Sequence, residues 1–135
     1  DRVETKWPLR IQLPIGTEVP FHCTASGKMY LSSLKPAALD AILRARALEE
    51  TTPKTITDPD RVLAELASVR ERGYSTDDEE FISGMVAVAV PVWDMHNRLI
   101  ATLSVHAPVQ RCDLQALVKL LPVLQSASGK LSKLT

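Results

Sequence analysis

Apolar and polar residues alternate near the start of the chain in the way that a half-buried β-strand requires. Residues Leu9 to Ile15 switch between the two classes with period two, and a proline and a glycine end the run. Two longer apolar runs, Met85 to Trp93 and Leu99 to Ala107, are rich in β-forming residues. The segment from Asp94 to Arg98 between them suits the turn of an antiparallel hairpin. We therefore predict that these two runs are the central strands of a sheet.

Helical spacing of apolar residues predicts two helices in the next part of the chain. Thr24 or Ser26 can cap the first helix, and Pro36 starts the second, because proline is tolerated in a first helical turn. The charged residues on its other side make the second helix a surface layer. The predicted apolar stripes are Met29, Tyr30, Leu31 and Leu34 in the first helix and Leu39, Ile42, Leu43 and Ala47 in the second.

Two further helices are predicted from their end signals. Thr57 to Asp60 combines a capping oxygen, a proline and acids at the positive end of the helix dipole, and Gly73 suits the left-handed end of that helix. A short strand then begins at Tyr74. The last helix begins at Asp113, and Pro122 either kinks it or restarts it as a second segment. The predicted stripes are Val62, Leu63, Leu66 and Val69, and Leu114, Leu117, Leu121, Leu124, Leu131 and Leu134.

This order of elements indicates the fold class. A strand, three helices, a tight strand pair and a closing helix fit an antiparallel sheet flanked by helices, an α+β fold, better than a doubly wound parallel sheet. A chain of 135 residues suits one domain with a sizeable core. We find no glycine-rich phosphate loop in the sequence.

Charge and cysteine content exclude several classes of function. Sixteen basic and sixteen acidic residues give a formal net charge of zero, so the chain has no basic field for DNA or anionic lipid. The longest apolar run is too short to span a bilayer. Cys23 and Cys112 are far apart and have no metal-ligand spacing, so we expect reduced cytoplasmic thiols, no metal and no cofactor.

Four segments together resemble the C-terminal domain of the IclR family of bacterial transcription regulators. They are Val19 to Lys28, Thr55 to Asp58, Arg72 to Glu80 and Ser104 to Pro108, and Gly84 and Ala89 to Val92 also fall where the family has a glycine and an apolar strand containing proline. The resemblance implies a GAF-like antiparallel sheet with helices on both faces. It also implies that residues 1–135 form an effector-binding domain, outside which lie a winged helix-turn-helix, a linker helix and a first strand.

The same resemblance implies a function. The domain would be a sensor for a small organic acid, aliphatic or aromatic, and not an enzyme. It would form a homo-oligomer, a dimer or a tetramer, and it would reach DNA only through the N-terminal domain. No contact with a membrane is expected.

The turn Ala25–Ser26–Gly27 is the first candidate for binding the acid. Backbone amides at a helix N-terminus lie at the positive end of the helix dipole and suit a carboxylate, and the family uses this turn for its effector. Taken without the resemblance, Thr24 simply caps a core helix and Gly27 permits close packing.

Ser104 and His106 are the second candidate. They stand two apart on one strand, so both side chains project from the same face. The family usually has serine at both positions. His106 could add a hydrogen-bond donor or a positive charge for an acid, or it could fill space as a neutral imidazole.

Asp77 matches a family position whose carboxylate lies in the pocket, where it could accept hydrogen bonds from a ligand hydroxyl. The acids after it, Asp78 to Glu80, resemble a metal or acid/base cluster, but such runs are usually solvated or paired with arginine. Four apolar residues, Ile11, Val19, Met85 and Ala87, match the family's pocket wall. Alternatively, these four residues are ordinary residues of the hydrophobic core.

Cys23 gives the strongest indication of an enzyme. A helix N-terminus lowers the pKa of a thiol and could make Cys23 the nucleophile of a thiol-dependent GAF-like enzyme. A buried thiol is more often inert packing. A module that only oligomerises and binds no small molecule is a third alternative.

Overall fold

The structure, a computed structural model, describes residues 2–4, 9–12 and 21–134. These residues contain five strands, in the spatial order β1-β2-β5-β4-β3, and every neighbouring pair is antiparallel. The predicted α+β class is therefore confirmed. The strands are β1 (Arg2–Glu4), β2 (Leu9–Gln12), β3 (Ser75–Asp78), β4 (Met85–Trp93) and β5 (Leu99–Pro108).

The predicted hairpin forms the centre of the sheet. β4 and β5 pair along nearly their whole length, from Met85 opposite Pro108 to Trp93 opposite Leu99. The turn between them is fixed by Asp94, whose Oδ1 accepts the backbone amides of His96 at 2.8 Å and Arg98 at 2.9 Å. These two bonds hold the short connection between β4 and β5 in a tight turn.

Five helices complete the described part of the chain, and their ends follow the signals in the sequence. They are α1 (Ala25–Ser32), α2 (Pro36–Arg44), α3 (Pro59–Arg72), α4 (Leu114–Val118) and α5 (Leu121–Ser132). Thr24 caps α1, Asp58 caps α3 by accepting the Asp60 amide, and Gly73 ends α3 with φ of 83°. Of the two alternatives for Pro122, the second is right, since α5 begins at Leu121 as a new segment.

Three residues of the predicted apolar stripes do not pack as expected. Ile42 is 42% exposed and Leu134 is 81% exposed. Ala47 lies beyond the end of α2, and Leu48 reaches the core instead. For Ile42 and Ala47 the physical reason is that α2 packs on the core through a narrow stripe. Only Leu39 and Leu43, one turn apart, are buried in this helix.

The two faces of the sheet pack against different helices. The valines of β4 and the alternate residues of β5 meet α4 and α5, whereas α1 covers the other face and in turn packs against α3. A separate apolar cluster lies between α1, α2 and α3. No helix in the described residues is long and apolar enough to cross a membrane.

Candidate functional site

The first turn of α1 lies directly on the sheet. Ala25 is fully buried against Ala87 and Ala89 of β4, and the hydroxyl of Ser75 on β3 donates to its backbone oxygen. Three small alanine side chains allow this close approach. The approach brings the positive end of the α1 dipole to the middle of the sheet.

Thr24 and Gly27 show why the chain folds this way here. Thr24 Oγ1 accepts the amide of Gly27 at 3.0 Å, which satisfies one donor of the first turn. A Cβ on Gly27 would lie 2.5 Å from Phe21 Cα and 2.6 Å from Phe21 O, so only glycine fits. The cap and the close packing are both present, and they leave Ala25 and Ser26 in the first turn with their amides at the positive end of the helix.

Polar residues form two rows across the α1 face of the sheet. Directly opposite residues of antiparallel strands share a face. The register therefore aligns Asp77, Ala87 and His106 in one row. Asp77 and His106 flank Ala87 at roughly 10 Å from each other, because each strand step is about 4.8 Å.

The second row consists of Ser75, Ala89 and Ser104. Ser104 Oγ lies 3.2 Å from His106 Nε2, so the two residues bond to each other as well as sharing a face. Ser104 is fully buried and His106 is half-buried. The hydroxyl and the imidazole thus form one polar unit beneath the first turn of α1.

Asp77 is 5% exposed and is held by backbone amides. Its Oδ1 accepts the amide of Glu80 at 2.8 Å. Burial raises the pKa of the Asp77 carboxyl to about 6, and the charge of Glu80 adds to this rise, while the bonds from the Glu80 and Phe81 amides and the charge of Lys28 oppose it. The carboxyl therefore changes its charge just below neutral pH.

Two of the four predicted wall residues lie on the α1 face of the sheet. Met85 and Ala87 alternate on β4 and lie on the α1 face, Ala87 fully buried and Met85 half-buried. Ile11 pairs in register with Leu103, which belongs to the cluster under α4 and α5. The role of Ile11 as a wall residue stays a prediction. Val19 lies outside the described residues.

A buried ion-pair network is the feature that the sequence did not predict. Lys28 is 1% exposed, and its Nζ lies 2.6 Å from Glu80 Oε1, 3.0 Å from Glu65 Oε2 and 2.9 Å from the Thr76 carbonyl oxygen. The signal available was a lysine within the apolar sequence of α1. Without knowledge of the tertiary contacts it looks like an ordinary surface residue.

The other acids of the run behave as surface residues. Lys54 Nζ lies 3.7 Å from Asp78 Oδ1 and 3.2 Å from Glu79 Oε2, and Lys54 is exposed. The expected arginine partner is in fact a lysine in both cases, Lys28 for Glu80 and Lys54 for its neighbours. Within residues 21–134 no group of three histidine, cysteine or acidic side chains is arranged to hold a metal ion.

Cys23 lies just before α1 but does not have the properties of a nucleophile. Its side chain is fully buried, with Thr51 Oγ1 at 3.9 Å from the sulfur. Burial raises the pKa of the thiol to about 11, and the charges of Asp77 and Glu80 contribute to the rise. Desolvation outweighs the effect of the helix end, so the thiol is protonated at neutral pH.

Comparison with known proteins identifies one family. The model of the bacterial transcriptional regulator IclR C-terminal domain matches residues 1–133. SauR of Cupriavidus necator is 39% identical over 98% of this chain and 53% of its own length. The HTH-type transcriptional regulator XynR of Escherichia coli is 35% identical over the same shares. The chain thus spans about half the length of these curated relatives.

A solved structure has the same fold with a bound ligand. It is a double mutant of the PobR transcription factor inducer-binding domain from Acinetobacter, in complex with 3-hydroxybenzoic acid. The TM-score is 0.83 at 33% identity, and the match covers 87% of this chain and 67% of that chain. The architecture described above is therefore one that binds a small aromatic acid in another protein.

Proposed function

Since this chain belongs to the IclR family of bacterial transcriptional regulators and corresponds to the C-terminal, effector-binding domain of that family, we propose that it senses a small organic acid at the first turn of α1. The ligand carboxylate binds at the amides of Ala25 and Ser26. Ser104 and His106 contact the ligand from β5, and Asp77 contacts it from β3. Met85 and Ala87 line the apolar part of the site.

One arrangement supports this function above all. The positive end of α1 lies over a sheet face that carries a hydroxyl, an imidazole and a carboxyl around two alanines. A small-molecule site generally needs an apolar surface with a few convergent polar groups, and this face has both. The 3-hydroxybenzoic acid bound to the PobR domain supports an acid as the ligand class.

The whole protein would act through a domain outside this chain. We propose that a winged helix-turn-helix binds DNA and that this chain, with its net charge of zero, does not. The chain would form a dimer or a tetramer, and the acid would favour one packing of the subunits. The free energy by which the acid changes DNA binding is then set by the difference between its affinities for the two arrangements of the subunits.

A sensor accounts for the site better than a thiol-dependent enzyme. The only thiol near the proposed site in the described residues belongs to Cys23, and its high pKa removes the thiolate that such catalysis requires. The relatives that match are regulators. A module that only oligomerises would leave the buried Ser104–His106 pair without a ligand to contact.

A thermal-shift screen tests this proposal. The chain is heated with 3-hydroxybenzoate and with small aliphatic carboxylates, each as a concentration series. At about one hundred times the dissociation constant, binding stabilises the fold by about 2.7 kcal/mol, which raises Tm by on the order of 5–10 °C. At pH 5.5, where the Asp77 carboxyl is mostly protonated and can bond the ligand, Ser104→Ala and Asp77→Ala should lose most of this shift.

The matched control is Ser126→Ala, which removes the same hydroxyl from an exposed position on α5, far from the α1 face. It should keep the full shift. Equal shifts in all three variants would place the ligand elsewhere. The absence of a saturable shift with every carboxylate would favour the oligomerisation module.

A further inference from the structure

The ammonium group of Lys28 is enclosed by acceptors from three elements. Glu65 belongs to α3, Thr76 to β3 and Glu80 to the segment that follows β3. Lys28 itself lies in the second turn of α1, immediately after the proposed anion-binding turn. A fully buried lysine loses its hydration, and it stays charged only where acceptors replace the lost water.

Glu80 carries the connection onward to Asp77. One of its carboxylate oxygens faces Lys28 and the other accepts the Asp78 amide at 2.9 Å. Its own amide donates to Asp77 Oδ1 at 2.8 Å. Its carbonyl oxygen accepts the hydroxyls of Thr51 and Thr55 at 2.9 and 2.6 Å. Glu80 is therefore held by hydrogen bonds at its amide, its carbonyl and Oε2, and at Oε1 by the ion pair with Lys28, so it links α1 to the carboxyl of the proposed site.

The charges around Asp77 are unequal in number. From α1 it faces Lys28, and from its own loop Glu80. From the segment before α1 it faces the thiol of Cys23, and across Ala87 on the sheet it faces His106. Glu65 of α3 shares Lys28. Lys28 thus lies among three buried or half-buried carboxyls. Arg72 Nη1 also lies 3.9 Å from Glu65 Oε1, and Asp77 is the carboxyl without a direct ion pair in the described residues.

We propose that the Lys28–Glu80 ion pair is a positioning element of the effector site, which holds the first turn of α1 against Asp77 and balances the charge between them. This rests on the proposed function for the ligand, but the electrostatic link itself needs no ligand. Lys28 and Glu80 act on Asp77 with opposite sign. The ammonium favours the ionised carboxyl, and the carboxylate of Glu80 disfavours it.

The two partners can therefore be separated by their opposite effects. Glu80→Gln keeps the shape and removes a negative charge, so the Asp77 carboxyl should ionise at lower pH. Removing Lys28 alone would leave Glu80 as a buried unpaired acid that takes up a proton itself, and this would mix two titrations. The double variant Lys28→Met/Glu80→Gln avoids that problem and also leaves no unpaired charge at either position.

The decisive measurement is the NMR titration of the Asp77 side-chain carboxyl carbon in the ligand-free chain. We expect a midpoint near pH 6 in the wild type. In Glu80→Gln it should fall by about half a pH unit or more, and in the double variant it should rise again by a similar amount. Lys54→Met removes the same charge from an exposed lysine near the same loop and should leave the midpoint unchanged.

A merely structural role for the pair would lower Tm but would not move the midpoint in opposite directions. Identical midpoints in the wild type and both variants would overturn the inference. In a second arm, the wild type should bind 3-hydroxybenzoate several-fold more tightly at pH 5.5 than at pH 7.5, since an ionised Asp77 repels it, and Glu80→Gln should reduce this ratio. Shifted midpoints without any binding would support the electrostatic link and contradict the acid sensor.

Discussion

The two faces of the central hairpin are both buried at its centre, and they differ in chemistry. Leu103 is 1% exposed on the face under α4 and α5, while its neighbour Ser104 is fully buried on the face under α1. The first face is built from valine and leucine, and the second from alanine, serine and acid. Burial of polar groups costs free energy unless each is bonded. The apolar face therefore supplies most of the stabilising free energy, and this offsets the free energy that burial of polar groups costs on the α1 face.

Leu103→Ala should show the larger effect of the two faces. It removes a large side chain from a packed aliphatic cluster and should lower the free energy of unfolding by roughly 3–4 kcal/mol. Ser104→Ala removes only the hydroxyl that bonds His106 and should cost about 1 kcal/mol or less. Urea denaturation of both variants measures the difference. Equal losses would mean that the α1 face contributes as much stability as the other.

Substitution of two glycines compares the helix packed on one face of the sheet, α1, with the helix packed on the other, α5. Gly27→Ala would force a methyl group onto Phe21 Cα and O, so it should cost about 2 kcal/mol and disturb the α1 turn. Gly129→Ala changes an exposed position of α5 with nothing within 4 Å, and it should stabilise by about 0.5–1 kcal/mol. Thermal denaturation measures the loss of stability in the first variant and the gain in the second. A harmless Gly27→Ala would show that α1 can move away from the sheet.

Asp77→Asn removes a buried carboxyl whose effect on the free energy of unfolding depends on pH. Because the folded carboxyl has a pKa of about 6, above its usual value of 3.8, the folded state favours the protonated form. Wild-type stability therefore falls as pH rises from about 4 to 6, and the loss remains at higher pH. The variant should have a higher Tm than the wild type at pH 8 and nearly the same Tm at about pH 3.5, below the pKa of both states.

The gain at pH 8 should be at most about 3 kcal/mol, since a rise of the pKa from 3.8 to about 6 is worth about 1.4 kcal/mol per unit and already includes the favourable charge of Lys28. Thermal melts at the two pH values give this difference directly. Asp58→Asn is a matched control, because it changes an aspartate at an exposed helix cap. A wild-type carboxyl that ionises at its usual pH would abolish the pH dependence of the gain.

The sequence predicted local structure well because local chemistry determines it. Pro36, Asp58 and Gly73 mark helix ends through their own backbone angles and side chains, and each was placed correctly. The predicted anion turn, the Ser104–His106 pair and Asp77 also lie on one side of the sheet, as the family resemblance implied.

What escaped prediction depends on which strands and helices meet. The alternating pattern of Leu9 to Ile15 does not say which strand it pairs with, and only the pairing of β2 with β5 places Ile11 opposite Leu103 in register. Lys28 could not be distinguished from a surface lysine until α3 and the end of β3 surrounded it. The charged half of the site is thus a property of tertiary packing.

The two cysteines give the smallest and most local test of the comparison. Cys23 is fully buried beside the α1 face with a thiol pKa of about 11, whereas Cys112 is half-buried after β5. A thiol reacts as its thiolate, so at pH 8 the native chain should label with a disulfide reagent at Cys112 and not at Cys23. In Cys112→Ser, labelling should require denaturant. If Cys23 of the native variant reacted as fast as a free thiol, the α1 face would be open and a nucleophilic role would return.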